Sequence, residues 1–137
     1  MSDLLAGAYL AQGTIGNVGT PGAPIAKFSL VVVPSQHSVT GTVVITQAIQ
    51  GPDSHIVVQV TGKIYSAGLG KVTQLVSLQG EYVHSVPPPA IGSFLAKFDA
   101  HLAIDNAWNG TGGFSYYQHN IENVPVASAK SLKEELV

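Results

Sequence analysis

The sequence predicts an all-β fold: an antiparallel up-and-down meander of seven or eight strands closing as a barrel, with a two-sheet sandwich as the alternative. Three observations lead there. Apolar and polar residues alternate with a period of two along most of the chain. Clusters of proline, glycine, serine and asparagine interrupt that alternation at short intervals. Consecutive hairpins, folded at those clusters, keep their apolar residues on one side, whereas a slip of one residue would turn a core face outward.

Gly7 to Ile15 is the expected first strand, though weakly patterned. Ile25 to Val33 follows, with Phe28, Leu30 and Val32 in phase. The clearest strand runs from Val39 to Gln50. It places Val39, Val43 and Ile45 on one face and Thr40, Thr42 and Thr46 on the other. His55 to Tyr65 carries Ile56, Val58, Val60 and Ile64 in phase, and Lys71 to Ser85 carries Val76, Leu78 and Tyr82. Ser93 to Asp105 aligns Phe94, Phe98, Leu102 and Ile104. Gly113 to Ile121 supplies Phe114 and Tyr116.

A turn centred on Ser35-Gln36 sets Leu30 opposite Gly41 and Phe28 opposite Val43. A second, at Gly51-Pro52-Asp53-Ser54, sets Val43 opposite Gly62 and Ile45 opposite Val60. Asn109-Gly110 with Gly112-Gly113 suits a later hairpin. Gly41, Gly62 and Gly80 take the inward phase of successive strands. Glycine there marks bends of the kind that curl a sheet into a barrel; the competing reading is room for neighbouring rings. Closure also removes the strand edges that such low-charge strands would otherwise expose. The chain reads as one domain over residues 1–137, with its core at about residues 5–121 and a tail or helix at 126–137. Within that tail, Ser131 stands three before Glu134 and Leu132 four before Leu136, which predicts a short C-terminal helix over Ser128 to Val137.

Composition narrows the function classes. The chain has 137 residues and no cysteine, which excludes disulfides, thiolate metal sites and thiol catalysis. Its six basic residues are all lysine, scattered, and the formal net charge is −2. No basic stripe is available to neutralise phosphates, so no nucleic-acid partner is expected. Charged residues make up only 10% of the chain, against about 25% in ordinary domains. Self-association that hides apolar surface is therefore expected, and the protein reads as a homo-oligomer. The start carries no basic leader, and the longest apolar run, Leu30 to Val33, stops at Pro34. Neither a secretory signal nor a membrane span is expected, and the reading is cytoplasmic.

Gly16-x-x-Gly19-x-x-Gly22 has the spacing of a phosphate loop without its lysine, and it leads into a strand instead of a helix. It reads as a rigid proline-glycine loop. His37, His55, His84, His101 and His119 share no metal-ligand spacing, so neither metal nor cofactor is expected. No Gly-x-Ser-x-Gly elbow is present, and no catalytic residue is assigned. The remaining clue is polar residues in core phase: Gln47, Gln74, Tyr82, His84, Tyr116 and Gln118. Amides and tyrosines at a barrel mouth suit a small polar or ring-bearing ligand such as a carbohydrate. The candidate ligand-binding set is Gln47, Gln74, Tyr82, His84 and Trp108, the last beside a turn. The competing reading has strand ends reaching solvent and Trp108 capping the core. The leading function is thus a non-enzymatic binding module. A structural or assembly protein comes second, and a barrel enzyme lacking a local motif third.

Several stretches together carry a resemblance. They are Pro21-Gly22-Ala23-Pro24 before a strand, Gly41 to Gln47, Pro87 to Pro89 before Ile91-Gly92, and Asp105-x-x-Trp108-x-Gly110 leading to Tyr116-Tyr117. In these the chain resembles the domain-of-unknown-function 1842 family over about residues 5 to 121. The resemblance implies a bacterial origin and brings no activity or catalytic residue with it.

Overall fold

The structure is a computed structural model that describes residues 7–48, 54–85, 89 and 91–129. Eight strands follow in chain order: β1 (Tyr9–Ile15), β2 (Ile25–Val33), β3 (Ser38–Thr46), β4 (His55–Leu69), β5 (Val72–Ser85), β6 (Ser93–Ile104), β7 (Gly110–Tyr116) and β8 (His119–Ser128). Each pairs antiparallel with the next, and β8 returns to β1, so the sheet is a closed barrel and not a sandwich. The up-and-down path gives the barrel two ends. The β2–β3, β4–β5 and β6–β7 connections gather at one, called here the plug end. The β1–β2, β3–β4, β5–β6 and β7–β8 connections gather at the other, the notch end.

The alternation does what it predicts. Phe28, Leu30, Val43, Val58, Leu78 and Phe98 are buried inside, while Thr40, Gln59 and Gln79 between them face outward. An eight-stranded barrel is just wide enough for side chains to fill it. Each such aliphatic or phenyl group contributes about 1.5–3 kcal/mol on leaving water.

The inward glycines are points of close approach. A Cβ on Gly41 would meet the carbonyl oxygen of Ser29, on Gly62 that of Ser77, and on Gly80 that of Gln59. At Gly41 and Gly62 the three nearest atoms are all backbone. The neighbouring strand itself, not an aromatic ring, occupies the space a side chain would need. The curvature reading is the one this geometry supports.

The first hairpin has the expected register, with Leu30 opposite Gly41 and Phe28 opposite Val43. Its connection is a 3-10 turn, Pro34–Gln36, ended by His37 in the left-handed region at φ 52°. The second hairpin keeps the expected parity but slides. Val43 lies opposite Val58 and Ile45 opposite Ile56, because β3 ends at Thr46 and not at Gln50. The single strand expected from Gly113 to Ile121 is two strands. Gly112 and Gly113 sit inside β7 at a bulge, and the chain reverses at Tyr117-Gln118, where Gln118 is exposed.

The C-terminal expectation also needs correction. Residues 126–128, expected in the tail, complete β8, and Ile15, Thr14 and Gly13 of β1 pair with Val126, Ala127 and Ser128 to close the barrel. β-branched Val124 and Val126 face inward there and are buried, as suits a strand. The short C-terminal helix is not seen among the described residues, where the helical element described whole is the Pro34–Gln36 turn. Its remaining positions, 130–137, lie outside the described residues. No helix among the described residues is long and apolar enough to cross a membrane.

Candidate functional site

The two ends of the barrel differ in chemistry. At the plug end, the β6–β7 loop folds around Asp105. Its carboxylate accepts hydrogen bonds from the backbone N–H groups of Ala107 (2.9 Å) and Asn109 (3.0 Å). The Asp105 backbone receives Trp108 N–H at 3.1 Å and donates to the Asn109 carbonyl at 2.9 Å. This cage holds Trp108 at φ 67°, a region a bulky residue visits only when its surroundings impose it. The indole turns inward, packs on Phe28 at 5.7 Å between centroids, and donates from Nε1 to the Tyr9 hydroxyl at 3.1 Å. Asn109 Oδ1 accepts from Ser128 N–H at 2.9 Å, and Thr73 donates to Asn106 at 2.8 Å. The polar residues of this loop are thus committed to holding the plug and the β8–β1 seam together. Asp105→Ala removes two charge-assisted bonds and is expected to cost about 2–3 kcal/mol of stability, read by urea denaturation. Asp105→Asn, which keeps one acceptor oxygen, is expected to cost less than half of that.

A second latch lies at the same end. The His37 ring donates from Nδ1 to the Ile64 carbonyl (3.0 Å) and stacks on Tyr65 with centroids 5.0 Å apart. Ile64 N–H returns a bond to the His37 carbonyl at 3.2 Å. This histidine is exposed and serves as a turn anchor.

At the notch end the barrel opens. The β4–β5 ladder begins only at Gln59↔Glu81. Beyond it, His55 to Val58 pair with β3, and Tyr82 to Ser85 pair with β6. The two strands part, and a cleft of about 320 Å³ opens between them. One wall is His55 to Val57 and the other is Tyr82 to Ser85. Tyr82 and His84 are buried, whereas His55 stands exposed at the mouth. His84 stacks face to face with Tyr117 at 4.2 Å and 16°, and Phe94 leans on both, at 5.1 Å from His84 and 5.6 Å from Tyr117. Tyr117 reaches this pile from the β7–β8 turn at φ 51°. A non-glycine residue held there costs about 1–2 kcal/mol, and such strain concentrates where a side chain has a task.

The structure splits the predicted binding set. Tyr82 and His84 meet in the notch. Gln47 lies at the same end but in the β3–β4 connection, where its Nε2 donates to the Gly22 carbonyl at 3.1 Å and its backbone N–H to Ser54 at 3.2 Å. Gln74 and Trp108 lie at the plug end, Gln74 opposite Ile104 near the start of β5. Trp108 is buried as a core cap. Sequence reasoning missed His55, Phe94 and Tyr117 as neighbours of His84. The end of a hydrogen-bonded ladder leaves no compositional mark, and the slid β3–β4 register hid which part of β4 approaches this end.

The Gly16 to Pro24 loop turns through bonds from Thr20 N–H to Asn17 (3.1 Å) and from Ala23 N–H to Thr20 (3.2 Å), then enters β2. His101 and Glu122 approach to 3.4 Å on the outer wall, more than half exposed and away from the notch. Among the described residues no group of three or more His, Cys, Asp or Glu side chains could hold a metal ion.

Residues 6–121 match the family model described as Domain of unknown function (DUF1842). No curated protein matches the chain. The match takes in β1 through β7 and ends inside β8, and the chain belongs to this family.

Proposed function

We propose that this DUF1842 member is a binding module whose site is the notch between β4 and β5. Its ligand is one small, polar, ring-bearing molecule, a sugar or a heterocycle. The observation that carries the reading is the parting of β4 from β5 beyond Gln59 and Glu81, with His55, Tyr82 and His84 on the facing walls. A cleft of about 320 Å³ stands at the small end of ligand sites, which run from about 300 to 1,000 Å³. Two imidazoles and a phenol bring donors and acceptors beside flat apolar faces, as recognition of a polar ring requires. The already stacked His84–Tyr117–Phe94 pile fixes one wall before a ligand arrives, which lowers the ordering cost of binding.

Calorimetric titration with a panel of monosaccharides and nitrogen heterocycles tests the proposal. A binder is expected whose affinity falls at least tenfold in His55→Ala, an exposed position that the fold tolerates. Emission from Trp108, the single tryptophan, should stay unchanged on binding because it is buried at the opposite end. A binder that leaves His55→Ala unaffected, or that shifts the Trp108 emission, would overturn the assignment.

A further inference from the structure

The same parting of strands leaves an outer surface whose pattern points to a specific partner. β5 and β6 run on together past both neighbours. The β4 ladder reaches only Glu81, and the β7 ladder only Phe98. Tyr82–Ser85 and Ser93–Lys97 therefore form a two-stranded arm. A two-stranded ribbon is marginal by itself in water and needs packing on its faces. The pile of Phe94, His84 and Tyr117 supports the inner face. The outer face carries Val83 opposite Leu95, each 64% exposed. Extending the β4–β5 register sets Val57, 50% exposed, level with Val83. Three apolar side chains thus make one row across β4, β5 and β6. From Tyr82 to Ala96 the chain has no Asp, Glu, Lys or Arg.

The rows on either side are polar and differ from each other. On one side stand Gln59, Glu81 and Lys97, paired across the three strands. On the other stand Ser85 paired with Ser93, with His55 level with them on β4. We infer that this row is the contact surface for a second copy of the chain, packed face to face about a twofold axis that lies along the row. That operation places Val57, Val83 and Leu95 against their own counterparts. It sets Glu81 against Ser85 of the second copy and Lys97 against Ser93, so no like charges meet. An apolar centre with a polar rim on both sides is the anatomy of a protein interface, and an isologous contact needs such self-complementarity. An anionic lipid surface or a nucleic acid would need basic residues, and Lys97 is the lone basic residue in the three rows. Val57 and Val83 also border the notch, so a second copy would sit over its mouth. The inference nevertheless does not rest on the ligand reading, and its test uses no ligand.

Sedimentation equilibrium of the full chain over a wide concentration range tests it. The wild type is expected to show twice the 14.2 kDa monomer mass. Leu95→Lys brings two lysines together at the contact and should raise the dimer dissociation constant by about a hundredfold or more. Leu10→Lys, at the plug end and 74% exposed, should leave the dimer intact. At a dilution where the wild type is monomeric, circular dichroism melts of both variants should match it, since both side chains are exposed. A wild type of monomer mass throughout would overturn the inference, as would a Leu95→Lys variant as dimeric as wild type. A wild-type monomer that floats with neutral phosphatidylcholine vesicles would also overturn it and give the row to a lipid surface.

Discussion

Trp108→Ala is expected to lower the unfolding free energy by about 3–5 kcal/mol, the range for removing a buried indole. The ring fills the plug end against Phe28, and its N–H satisfies the Tyr9 hydroxyl. Its loss leaves a cavity that the Asp105 cage cannot collapse, because that loop is also tied to Ser128 and Thr73. Urea denaturation followed by far-ultraviolet circular dichroism measures the change. A loss below about 1 kcal/mol would mean that Trp108 is peripheral. Combined with Asp105→Ala, the double variant should lose less than the sum of the singles. The aspartate acts largely by holding the indole in place, and residues that share one network couple in this way.

Gly62→Val is expected to destabilise by at least about 1–3 kcal/mol, the cost of forcing extra atoms into a packed site. The informative comparison is Gly68→Val on the same strand. A Cβ on Gly62 meets the Ser77 backbone, whereas a Cβ on Gly68 meets nothing within 4 Å. If Gly62 were only a poor strand former, valine would favour the strand at both positions, since valine suits strands better than glycine does. If the neighbouring strand must pass close by, only Gly62→Val fails, and Gly68→Val stays within about 0.5 kcal/mol of wild type. Thermal melts of the two variants side by side separate the accounts.

The fold was legible to the extent that its causes are local. Period-two alternation is set by the pleat, so the inward sets Phe28-Leu30-Val32 and Ile56-Val58-Val60 could be read directly. Parity also gave the β2–β3 register in full, because the connection there is short and symmetric about Ser35-Gln36. At β3–β4 parity still held, yet it cannot detect a slide by an even number of residues. The last two strands were misjudged for a related reason. Gly112-Gly113 serves a bulge as well as it would a turn, and the real reversal at Tyr117 uses a residue that composition would not choose.

The candidate site was half legible. Tyr82 and His84 followed from core phase on one strand. Trp108 and Gln74 share that polarity at the other end of the barrel, and no one-dimensional pattern assigns an inward residue to an end until the strand order and register are known. The loop around Asp105 held a stronger signal than it was credited with. Asp, Asn and Gly packed around a lone tryptophan describe a self-capped turn, whose aspartate binds the N–H groups that follow it.

The central claim is that the barrel is sealed at the Trp108 end and parted between β4 and β5 at the other. Hydrogen exchange of individual amides by nuclear magnetic resonance tests this most directly. In the paired stretch from Gln59 to Ser66, exchange is expected only through global opening. Within His55 to Val58 and Tyr82 to Ser85, the amides that face across the notch should exchange far faster, while those bonded to β3 and β6 stay protected. Uniformly slow exchange through both segments would mean that the β4–β5 ladder continues to its end, and it would contradict the notch and the site built on it.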